Sequence, residues 1–113
     1  MMRGILCGGL LAVIALVGMG SPGFADETAL ASIHPWVRVG HKICMADHFH
    51  NGNGKGASRR QAEAVAISDW ASFTSFEYGS SCAHFVLAES KGVACSKTGP
   101  EWNCDLQARP CRR

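Results

Sequence analysis

The sequence predicts an α+β domain: one amphipathic helix packed on a small, mainly antiparallel sheet, in the order β-α-β-β-β, with disulfides as staples. Three observations lead there. An apolar stripe with helical spacing runs through the middle of the chain, apolar positions alternate in short runs on either side of it, and there are six cysteines in 113 residues.

The helix is the firmest element. Ser58-Arg59-Arg60-Gln61 fits a capping box, in which the side chains of Ser58 and Gln61 satisfy backbone donors left open at a helix start. At 100° per residue, Ala62, Ala66, Trp70, Phe73 and Phe76 fall on one stripe flanked by Val65 and Ile67, with Arg60, Ser68 and Ser75 opposite. Gly79 ends the element, because glycine takes the left-handed conformation common at helix C-termini.

Before the helix, Val37, Val39, Ile43 and Met45 alternate with more polar neighbours, the period of a half-buried strand over Trp36 to Ala46. Asp47 to Ala57 contains Asn51-Gly52-Asn53-Gly54-Lys55-Gly56, a composition that reads as a loop. After the helix, alternation at Ala83, Phe85 and Leu87, at Val93 and Cys95, and at Trp102, Cys104, Leu106 and Ala108 predicts a three-stranded meander. Gly92 and Thr98-Gly99-Pro100-Glu101 supply its turns.

The first 25 residues have the parts of a secretory signal. Arg3 gives a basic start, Gly4 to Val17 is an apolar run, and Gly23-Phe24-Ala25 is a small-x-small cleavage pattern. The run is too short for a membrane span, which needs about 20 apolar residues. Cys7 lies ahead of most of the run, where a lipidated cysteine would have no export segment before it. The expected organisation is a signal peptide at 1–25, a flexible N-terminus at 26–35 and a single small disulfide-bonded domain at 36–113. The protein is then exported, periplasmic or extracellular, with no membrane span after cleavage.

A domain of this size hides only about 60 to 65% of its unfolded surface, so cross-links are expected to help hold it. Beyond the leader stand Cys44, Cys82, Cys95, Cys104 and Cys111, an odd number in an oxidising compartment. If the last hairpin turns at Gly99-Pro100, Cys95 and Cys104 face each other on the apolar side of their strands and are expected to pair. Cys44, Cys82 and Cys111 compete for a second bond. Cys44 to Cys111 closes the longest loop and is favoured on entropy, with Cys82 to Cys111 next.

The formal net charge is +2, which argues for neither nucleic acid nor a membrane surface as partner. Two clusters carry chemistry. In His41-Lys42-Ile43-Cys44-Met45-Ala46-Asp47-His48-Phe49-His50, an extended backbone points Cys44, His48 and His50 to one side, a set suited to zinc or copper. The competing reading places Cys44 in a disulfide and the histidines at the surface. In the second cluster, Lys55, Arg59 and Arg60 flank glycine-rich backbone entering a helix N-terminus, an arrangement able to cradle an anion. It is not a nucleotide-hydrolase phosphate loop, because Gly56 stands where serine or threonine should follow the lysine. Asp47-His48 with Asn51 is similar to the strand-to-helix metal site of some nucleases, but the helix offers no histidine or asparagine to complete it. No catalytic set assembles from spacing.

Asp47-His48-Phe49-His50 with its glycine run, Glu77-Tyr78-Gly79, Trp102-Asn103-Cys104 and the Ala108-Arg109-Pro110-Cys111 ending resemble a set of small exported proteobacterial proteins of unknown function. The resemblance covers 41–111. It implies a periplasmic or secreted location, brings no activity with it, and makes Cys82, which departs from its pattern, the candidate free thiol. The function expected from all this is a non-catalytic exported module that binds a protein or envelope partner and carries no cofactor. Metal binding at 41–50 and anion binding at the glycine-rich segment are the alternatives.

Overall fold

The computed structural model describes residues 27–113. The leader at 1–25, its cleavage point and Cys7 lie outside the described residues. The fold is α+β, with one main helix and two three-stranded antiparallel sheets. Strands β1 (Trp36–Val39), β2 (Lys42–Met45) and β6 (Cys111–Arg112) form the first sheet in the order β1-β2-β6; β3 (His50–Gly56), β4 (Glu89–Thr98) and β5 (Glu101–Arg109) form the second in the order β3-β5-β4. The α-helices among the described residues are α1 (Ala29–Ser32) and α2 (Arg59–Tyr78). Among the described residues, no helix is long and apolar enough to cross a membrane.

Helix α2 begins and ends where its caps direct. Ser58 Oγ accepts from the Gln61 amide at 3.1 Å, and Gln61 Oε1 accepts from the Ala57 amide at 2.9 Å. At the other end Gly79 has φ 101° and its amide donates to Ser75 O at 2.9 Å. The buried line is Ala62, Ala66, Trp70, Thr74 and Tyr78, a strict step of four. This corrects the expected stripe beyond Trp70: Phe73 is 47% and Phe76 86% exposed. The line turns toward Thr74 and Tyr78 because its last two turns pack on His50 and on the N-terminal segment, where a polar contact is available to each.

The segment expected to be a loop at 47–57 is largely a strand. In β3 the glycines alternate with Asn51, Asn53 and Lys55, so Gly52, Gly54 and Gly56 all turn toward α2. A Cβ on Gly52 would lie 2.9 Å from Trp70 Cβ and closer still to Ala66 O, and one on Gly54 would lie 2.9 Å from Val65 C and closer to Ala62 O and Ala66 N. Glycine is required here so that strand backbone can lie directly on helix backbone. Small residues on both sides, with Ala62 and Ala66 opposite the glycines, make that approach possible.

Three further expectations change. Residues 36–46 form a hairpin, β1 and β2, turned at Gly40 with φ 61°, in place of one strand. The stretch at 83–87 is not a strand: two 3₁₀ turns, Ser80–Cys82 and Phe85–Leu87, lead from α2 into β4, and Phe85 sets its ring edge-on to Trp70 at 5.4 Å. The described residues of 26–35, expected to be loose, are docked. Ala31 is fully buried with Met45, Tyr78 and Cys82, and Trp36 Nε1 donates to Ala31 O at 2.8 Å. An alanine small enough to enter that pocket and a β1 tryptophan that clamps it hold a segment whose composition alone carries no such signal.

Both disulfides form as expected. Cys95 and Cys104 are directly opposed in β4 and β5, and Cys44 and Cys111 are directly opposed in β2 and β6. Cys82 is the free cysteine among the described residues and is buried.

Candidate functional site

The cleft where β3 begins and α2 ends gathers the ionisable side chains. His48 and His50 are two apart in an extended stretch, so both imidazoles lie on one side, with ring centroids 5.2 Å apart. Glu77 and Tyr78 come from the last turn of α2, and His34 comes from the segment between α1 and β1. Together with Phe73 these residues line a cavity of about 360 Å³.

His50 is its centre. The side chain is 2% exposed, Nδ1 lies 2.9 Å from Thr74 Oγ1, and Nε2 lies 3.3 Å from Glu77 Oε2 without the alignment of a hydrogen bond. Burial lowers its pKa below the usual histidine value and outweighs the opposing pull of the Glu77 carboxylate, with His48 and His34 adding to the lowering. The Thr74 contact fits either neutral tautomer: one accepts from the hydroxyl and turns Nε2–H toward Glu77, and the other donates Nδ1–H and directs the Nε2 lone pair at the carboxylate. In that second tautomer the buried Nε2 and the part-exposed Glu77 carboxylate face the same gap as acceptors, an arrangement that a cation between them can bridge.

His48, His50 and Glu77 each offer a ligand atom, and these atoms all lie within 4.8 Å of one another. A tetrahedral zinc with bonds of about 2.1 Å holds its ligand atoms roughly 3.4 Å apart, close to the 3.3 Å between His50 Nε2 and Glu77 Oε2. Two histidines and a glutamate form a donor set for borderline divalent ions, with Thr74 orienting the His50 ring from the outside.

The expected set of Cys44, His48 and His50 is therefore corrected in one member. Cys44 is committed to Cys111, and a disulfide sulfur is no thiolate ligand. Glu77 takes its place, from an element far along the chain. Its signal was the step of four that runs from Ala62 through Thr74 to Tyr78 and sets the neighbouring Glu77 at the mouth of the cleft.

The three cations of the glycine-rich segment sit on two elements, Lys55 on β3 and Arg59 and Arg60 in the first turn of α2. Lys55 lies on the face of β3 that points away from the helix, opposite Asn103, whereas Arg59 pairs with Glu63 at 3.1 Å in the first turn of α2. The glycine backbone between them is paired with β5 on one edge and covered by α2 on its face, and on the other edge the Asn53 amide donates to Asp69 Oδ2 at 2.9 Å.

Tyr78 is 1% exposed, and its phenol lies 3.4 Å from His34 Nε2. Burial, followed by the Glu77 charge, pushes its pKa up to about 12, so it enters the site as a neutral hydroxyl. Comparison with protein-family models, curated proteins and solved structures finds no match for this chain.

Proposed function

We propose that this protein is an exported, disulfide-braced module that binds one divalent transition metal ion, zinc or copper, through His48, His50 and Glu77. The observation that carries the reading is the buried Nε2 of His50, which lies against the Glu77 carboxylate and lacks a hydrogen bond. Its companion His48 is within ligand range of both. Two disulfides fit an oxidising compartment outside the cytoplasm, where soft thiolate sites are lost to oxidation and imidazole and carboxylate ligands persist.

Titration of the oxidised protein with Co(II), read by its visible absorption, and with Zn(II), read by calorimetry, tests the reading. One equivalent should bind. Glu77→Gln and His48→Ala, at positions that are not fully buried, should each weaken binding by about tenfold or more, since even outer-shell partners contribute about 10- to 100-fold. Binding of equal strength in wild type and both variants, or no binding in wild type, would overturn it.

A further inference from the structure

We infer that His34 is the fourth ligand of this site and that the bound metal fastens residues 27–35 to the end of α2. The inference rests on the metal-binding reading above and extends it to a residue outside the compact ligand set.

Three ligands leave at least one position of a tetrahedral ion open. A third imidazole lines the same cavity, that of His34, whose ring lies 4.9 Å from that of His48. Its attachment in the metal-free protein is weak. The contact of Nε2 with the Tyr78 phenol is 3.4 Å long, well beyond the usual length for a hydroxyl donor. Rotation about its side-chain torsions, between staggered positions, would carry the imidazole toward His48 and Glu77 in exchange for its contact with the Tyr78 phenol.

The rest of the segment is tied to the same turn of α2. The Thr28 amide donates to Tyr78 O at 3.0 Å, and Thr28 Oγ1 donates to Glu77 O. Residues 28 and 34 therefore bracket α1, with the first anchored to the backbone of Glu77 and the second lining the same cavity as its side chain. A metal held by Glu77 and His34 together closes that bracket. Without the metal the segment depends on the buried Ala31, two bonds from Thr28, the Trp36 clamp, the Ala46 amide donating to Pro35 O at 2.9 Å and the Glu27–Arg112 ion pair, contacts at the chain's edge that can open locally below global unfolding. Because coupling of this kind is reciprocal, the ordered segment in turn raises the affinity for the metal.

The test compares wild type, His34→Ala and Glu77→Gln, with Zn(II) as the probe. Calorimetry reads affinity, and amide hydrogen exchange followed by mass spectrometry reads the peptide spanning 27–36. In wild type, zinc should slow exchange of that peptide by about tenfold or more, more than it slows the β4–β5 hairpin, which lies away from the site. His34→Ala should still bind zinc, weakened by about tenfold or more as for loss of a partner of the ion, and should lose the slowing at 27–36. Undiminished affinity in His34→Ala, or exchange at 27–36 that ignores zinc in wild type, would overturn the inference and leave the three-ligand site standing. Loss of no affinity in Glu77→Gln would instead remove the reading beneath it.

Discussion

Gly54 lies so close to Ala66 that a single methyl group on the glycine would overlap the alanine's amide. Neither neighbour can give way, because the obstructing atoms are helix backbone and not the end of a flexible side chain. Gly54→Ala should therefore force β3 off α2 and cost about 3 kcal/mol or more, the upper end of overpacking penalties. The measurement is urea unfolding, with a lower midpoint and an unchanged slope. A midpoint equal to wild type would mean that strand and helix are not in direct contact.

The two disulfides should differ in weight. Cys44 and Cys111 are 67 residues apart and Cys95 and Cys104 are 9 apart. The chain-entropy model assigns about 4 kcal/mol to the first and about 2.5 kcal/mol to the second. Cys44→Ser with Cys111→Ser should thus lower stability more than Cys95→Ser with Cys104→Ser, as read by denaturant unfolding of each double variant. Removing the first bond should also free β6, whose two residues pair with β2 at Ile43 and Cys44. The reverse order of stabilities would show that native strain outweighs loop closure in this protein.

The chain has one tyrosine, so tyrosinate absorbance reports Tyr78 alone. In the metal-free protein its ionisation should come near pH 12, against about 10 for an exposed phenol. A folded pKa above the unfolded one means that the neutral phenol stabilises the fold fully below pH 10, and that this contribution disappears as pH rises from 10 to 12. Alkaline unfolding should follow in that window, with a loss on the order of 2 kcal/mol. Ionisation near pH 10 while the circular dichroism is still native would show that the phenol is wet.

How much of this was legible in the sequence depends on whether a local signal existed. Helix α2 was, because Ser58 and Gln61 mark its start and Gly79 its end, each by a local signal. The Cys95–Cys104 pair was, because a turn at Gly99-Pro100 fixes the register of Thr98 with Glu101 and of the pairs beyond it as far as Gly92 with Gln107. Strand β3 was not, since glycine and asparagine disfavour strands on propensity. Its period of two at Gly52, Gly54 and Gly56 is visible, but it acquires meaning only against a helix that presents Ala62 and Ala66. The site was half legible: His48 and His50 follow from spacing, whereas Glu77 depends on the rotation of α2, which Phe73 and Phe76 misdirect. The docking of Ala31 had no sequence signal, because one alanine fits a pocket that three other segments build.

Thr74 offers the sharpest check on how His50 is held. Its hydroxyl is buried in the helix line and lies 2.9 Å from Nδ1, the contact that turns Nε2 toward Glu77. Thr74→Val keeps the volume and removes the partner of the ring, so the imidazole loses both its preferred tautomer and its orientation. Zinc affinity should fall about 10- to 100-fold, the usual result of deleting an outer-shell hydrogen bond. The fold should lose on the order of 1 to 3 kcal/mol, the cost of a buried polar atom left without its partner. Calorimetry and urea unfolding on the same variant separate the two effects. Thr74→Ser, which restores the hydroxyl, should recover the affinity while remaining less stable than wild type for want of a methyl group. If valine weakens the fold but leaves zinc affinity unchanged, Thr74 supports packing alone and His50 meets the metal without its guidance.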